Sequence, residues 1–147
     1  RNGQWWWQLL LCVVIALSGY YFLVVNSGLL QLEIETDTRT IFKVYWPNKA
    51  GNFSEHHMTD FLIEPGKTTY SVRINNTAGT DYLRLDPGEK TAWITIKELR
   101  IRQWGYPDCL VRSPSDFKNL EVISGVESLT PHDQGVTVQV KSHDPQL

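Results

Sequence analysis

A chain of 147 residues with 14 Lys plus Arg against 16 Asp plus Glu has a formal charge of −2, which excludes the basic field that a nucleic-acid partner requires. Its two cysteines exclude a disulfide framework, because Cys12 lies in an uncharged apolar run and Cys109 is left alone in the remainder. Residues 31–147 suffice for one domain of ordinary size, which must be held together by its core.

The N-terminal stretch WWWQLLLCVVIALSGYYFLVVNSGLL contains no charged side chain, and none occurs between Arg1 and Glu33. A run of about 20 apolar residues matches the ~30 Å hydrocarbon thickness of a bilayer at ~1.5 Å rise per residue. A cleaved secretory signal is the competing reading, with Ala16-Leu17-Ser18 as a passable cleavage site. Against it, apolar character continues from Tyr20 through Val25. Trp5, Trp6 and Trp7 at one end and Tyr20 and Tyr21 towards the other resemble interfacial aromatic belts. Residues 1–30 are therefore expected to be a retained, single-pass transmembrane anchor. Ser18 and Gly19 form a small patch that would let a second helix approach closely. Since the chain begins with Arg, further residues are expected ahead of it. Arg1 before the helix, and a folded domain after it, favour an N-terminus in the cytoplasm.

After the anchor, period-two alternation predicts strands. Gln31–Glu35 puts Leu32 and Ile34 on one face, and Thr40–Trp46 is rich in β-branched and aromatic residues until Pro47 stops it. Asn52–Asp60 reads as a polar loop and Phe61–Ile63 as a short apolar run. Thr68–Ile74 aligns Tyr70, Val72 and Ile74, with Ser71 and Arg73 on the other face. Asn75–Gly79 reads as a turn and Tyr82–Asp86 as a short strand. Ala92–Arg102 changes phase near Lys97-Glu98, which predicts a bulge. Gln103–Ser115 reads as a loop; Leu120–Ile123 and Gly135–Lys141 supply the last strands. Short strands with frequent turns and no long helix after the anchor predict an all-β domain, an antiparallel β-sandwich or jelly roll over residues 31–147.

Catalytic patterns are missing from the sequence. No Gly-x-Ser-x-Gly elbow or Gly-rich phosphate loop occurs, and Cys109, which follows Pro107-Asp108 in a loop, carries no nucleophile motif. Glu55, His56, His57 and Asp60 lack the spacing of a metal site, and a solvated loop accounts for them. No enzymatic activity, cofactor or metal is expected. Trp93 and Tyr45 read as core. Trp46, Phe53, Trp104 and Tyr106 border turns and are the candidates for contact with a protein partner or a glycan.

The order IFKVYWPN, GNFSEHHM, PGKTTYSVRI and YLRLDPGEKTAWITIKELRI over residues 41–101 resembles the extracytoplasmic β-sandwich of bacterial membrane proteins of cell-envelope polysaccharide synthesis. The matching elements are Phe53-Ser54-Glu55, Leu83-Arg84-Leu85-Asp86-Pro87 and Ile94-Thr95-Ile96-Lys97. The resemblance implies a carbohydrate-binding-module-like sandwich facing the periplasm. Those proteins carry many membrane helices and a separate catalytic part, whereas this chain has one helix, so no activity carries over. Arg84 and Asp86 are expected to pair and hold the end of their strand. The expectation is an accessory subunit in the cytoplasmic membrane that braces a larger membrane complex from the periplasm. The alternative is a tethered module that recognises cell-envelope glycans.

Overall fold

A computed structural model describes residues 4–48, 50–75, 82–88, 91–112, 114–119 and 126–141. The chain opens with α1 (Gln4–Tyr20), which continues into a π-helical turn over Tyr21–Val25. Trp5–Val25 is long and apolar enough to cross a membrane, with a mean hydropathy of 2.2 and none of its apolar window buried.

β1 (Ser27–Thr36) follows after the single residue Asn26. The apolar run extends to Leu30, but the helix stops at Val25, and Leu30 is fully buried in the core of the β domain. Lipid and a protein core select the same side chains, so the sequence cannot mark where one ends and the other begins.

Two antiparallel sheets follow. The larger has the order β4-β1-β6-β9-β8, using β4 (Thr69–Asn75), β6 (Ala92–Gln103), β9 (Gly135–Val140) and β8 (Val126–His132); β7 (Cys109–Val111) also pairs with β6. The smaller has the order β3-β2-β5, from β2 (Thr40–Tyr45), β3 (Met58–Ile63) and β5 (Arg84–Asp86). Alternation decides which face is hidden: Leu30, Leu32, Ile34, Ile94, Ile96, Val136 and Val138 meet Phe42, Val44, Ile63 and Leu85 in one core cluster. Phe61 of β3 and Tyr70 of β4 close the same space between the sheets, with ring centroids 5.4 Å apart. The domain is thus an antiparallel β-sandwich preceded by one apolar helix.

The phase slip in β6 is a bulge. Glu33 pairs with Glu98 but Ile34 with Ile96, leaving Lys97 as the extra residue. The bulge gives Lys97 to Glu35, whose carboxylate accepts a hydrogen bond from its ammonium. That bond is the main reason the ammonium titrates above its ordinary 10.5. β3 begins at Met58, inside the segment expected to be a loop, and β7 lies in the expected loop after β6. β8 carries Pro131 on the outermost strand of its sheet, where a missing N–H is tolerated, and its half-exposed residues give no clean alternation. The strand expected over 120–123 and most of the turn over 75–79 lie outside the described residues.

Candidate functional site

Where the helix meets the sandwich, several contacts close the join. The Asn26 amide donates to the Tyr21 carbonyl at 2.9 Å, completing the π turn. Ser27 Oγ donates to the Leu23 carbonyl at 2.8 Å, so one of the helix's last carbonyls is satisfied by the first residue of β1. Arg73 Nη1, on β4, reaches the same carbonyl at 3.4 Å and sets a cation against the negative end of the helix dipole. Tyr20 meets Trp104 edge to face, with ring centroids 6.4 Å apart, across the turn that follows β6. The helix is therefore fastened to three parts of the larger sheet: β1, β4 and the β6–β7 turn.

Around this join lies a groove of about 320 Å³ between the last helical turn and the outer face of the sheet. Leu29 of β1 pairs with Arg73 on one side and Arg102 on the other, so two arginines flank it on one face. Arg102 Nε donates to Asp108 Oδ2 at 3.1 Å. The alternation of Thr68–Ile74 placed Arg73 outward, and Arg102 is exposed beside buried Ile101. Their proximity depends on strand pairing, which no local pattern reports.

The expected site residues divide into separate places. Trp5, Trp6 and Trp7 project from the helix at 73–74 % exposure, and Ser18 is exposed beside Gly19, where an added Cβ would meet no atom within 4 Å. Tyr21 stacks edge to face on Phe22, and Tyr20 engages Trp104. Trp104 and Tyr106 are both more than half exposed on the turn after β6, the Tyr106 amide bonding back to the Gln103 carbonyl. Phe53 is half-buried against Tyr82, whose hydroxyl donates to the Gly51 carbonyl.

Trp46 is a correction. It is 4 % exposed and belongs to the core, so it is unavailable to a partner or glycan. Its amide donates to the His57 carbonyl, which prolongs the β2–β3 pairing past the end of β2 and turns the ring inward against His57. The indole Nε1 is buried with no hydrogen-bond partner among the described residues. Trp93 is the opposite correction, 51 % exposed although it read as core. It alternates with buried Ala92 and Ile94, and this phase was the signal that could have found it. Among the described residues, no ring contact links Phe53 or Trp46 with Trp104 or Tyr106, so the four do not form one aromatic platform.

No family model, curated protein or solved structure matches the chain.

Arg84 and Asp86 form the expected pair, bidentate at 2.9 Å for both contacts, with the guanidinium also over the Tyr45 ring at 4.7 Å. Tyr45 in turn donates to Glu55 Oε1 at 3.1 Å. Burial, then that hydrogen bond, raises the Tyr45 phenol above its ordinary 10.0. This cluster clamps β5 to β2 and accounts for Arg84 and Asp86 without a ligand. Among the described residues, no three His, Cys, Asp or Glu side chains gather in a metal-binding group.

Proposed function

We propose that this chain is a single-pass, non-catalytic accessory subunit whose β-sandwich binds and stabilises a larger integral membrane complex. It is anchored in a bacterial cytoplasmic membrane with the sandwich on the periplasmic side. The observation that carries this reading is the fastened join. One residue separates the helix from β1, and three parts of the sheet grip the helix end, which suits a brace held against a neighbour at fixed height. A module fishing for glycan would be better served by a flexible tether. The bare helix supports the same reading, since its whole circumference is open to lipid and to partner helices, with Ser18 and Gly19 as the closest approach. Arg1 ahead of the helix and the folded domain behind it agree with the orientation.

The test is extraction in a mild detergent with a photoreactive side chain at Ser18 or Gly19. The expected result is an assembly far larger than the chain's own 16.9 kDa, with crosslinks to a helix of a stoichiometric partner. Recovery as a lone monomer overturns the reading. Glycan recognition is the second reading and is favoured by the exposed rings of Trp104 and Tyr106. It requires Trp104→Ala and Tyr106→Ala to abolish binding on a glycan array while leaving assembly intact.

A further inference from the structure

We infer that the groove where the helix meets the sheet is a binding site for the phosphate head group of an anionic phospholipid in the adjoining leaflet. This rests on the membrane-anchored reading above and goes beyond it by naming a lipid ligand. Neighbouring strands lie ~4.8 Å apart, so the backbones carrying Arg73 and Arg102 stand about 10 Å apart on either side of Leu29. Both side chains line the groove, and at this separation two long guanidinium arms can converge on a single phosphate. Each is partly engaged, Arg73 Nη1 at the Leu23 carbonyl and Arg102 Nε at Asp108, and each guanidinium has further N–H groups.

Charge fits one anion. Two guanidinium groups against the Asp108 carboxylate leave one positive charge, which a phosphodiester neutralises. Further from the helix along the same face the sign reverses. Arg100 is paired with Glu98 at 3.3 Å, and Glu98 lies opposite Glu33. Positive charge on this face is therefore concentrated in the row nearest the helix, where a head group would lie.

The other wall of the groove points to a lipid rather than free phosphate. Leu23 and Val24 form it, 63 % and 38 % exposed, on the turn that ends the apolar span. An amphiphile with a phosphate at one end and acyl chains at the other uses both walls, whereas an inorganic ion uses only the arginines. Trp104, whose ring is held by Tyr20, lines the same groove and is of the residue type that settles at the head-group level.

The full chain is reconstituted into nanodiscs of phosphatidylcholine alone and of an equimolar mixture with phosphatidylglycerol, then released and weighed by native mass spectrometry. Selective retention of phosphatidylglycerol is expected. Arg73→Gln with Arg102→Gln should reduce it roughly thirtyfold at low salt, while the charge-preserving Arg73→Lys with Arg102→Lys keeps most of it. Lys141→Gln, beyond β9 on the far side of the sheet, should change nothing. Excess inorganic phosphate should not displace the lipid. Equal retention of the two lipids by the inserted wild-type chain overturns the inference even if the double variant does not fold, as does displacement by phosphate. Failure to enter either disc overturns instead the membrane reading beneath it.

Discussion

Gly135 is where a single atom decides a strand pairing. Its φ of +134° is disfavoured for other residues, and an added Cβ would sit 2.2 Å from the Ile96 carbonyl oxygen and 2.8 Å from Lys97 Cα. The bulge in β6 pushes backbone towards β9, and only glycine leaves room for it. Gly135→Ala is expected to cost about 3 kcal/mol, measured as a lower urea midpoint of the detergent-solubilised chain. Arg84→Ala should cost roughly 2 kcal/mol in the same assay, because it strips the bidentate partner from the buried Asp86; Arg84→Lys recovers only part, since an ammonium cannot reproduce the fork. Tyr45 gives a pH dependence whose sign is fixed. Its folded phenol holds its proton more tightly than the ordinary 10.0, so its contribution is complete below pH 10.0. As pH rises past that value the unfolded chain ionises first and stability falls, until the folded phenol ionises as well. Tyr45→Phe should flatten that alkaline decline in urea midpoints taken on either side of pH 10.0. The Arg84–Asp86 pair could be anticipated because the two residues are two apart and so on the same side of a strand. The burial of Trp46 could not, since it depends on a backbone bond to His57 in the 3-10 turn that precedes β3.

Among the elements, the join between helix and β1 carries the sharpest expectation. The native Cys12 in the helix and Cys109 in β7 are both free and exposed, and so provide two sites for spin labels. The wild-type chain should give a narrow distribution of distances between them. A short Gly-Ser insertion between Asn26 and Ser27 should broaden it while leaving the unfolding of the sandwich unchanged. Ser27→Ala should widen it less, as it removes the hydroxyl's bond to the Leu23 carbonyl, worth about 1 kcal/mol, and its longer contact with Val24. Most elements were legible because one face of each is buried and the other is wet. β1, β4, β6 and β9 kept the expected alternation, β2 followed its β-branched and aromatic content, and the slip near Lys97 revealed the bulge itself. β7 and β8 escaped notice for the opposite reason: they are peripheral strands with partly exposed residues on both faces, so no period is imposed on them. The groove was invisible in the sequence because Arg73, Leu29 and Arg102 become neighbours only through the register of three strands.

For the whole molecule, no residue of the helix belongs to the core cluster, whose first member is Leu30. A fragment beginning at Ser27 is therefore expected to unfold cooperatively with a strand-rich circular dichroism spectrum and to remain in solution without detergent. The full chain should aggregate under the same conditions because its apolar rod is bare. Cys109 also reports sidedness: a membrane-impermeant maleimide should label it in spheroplasts before lysis, and labelling only after lysis would reverse the proposed orientation. The entry of the helix into the sandwich has a mechanical corollary. It feeds β1, which is flanked by β4 and β6, and not a strand at the sheet's margin. Tension along the helix would load both ladders lengthwise, so their hydrogen bonds would have to rupture together instead of unzipping one by one. Such an attachment can withstand the tugging of a moving neighbour.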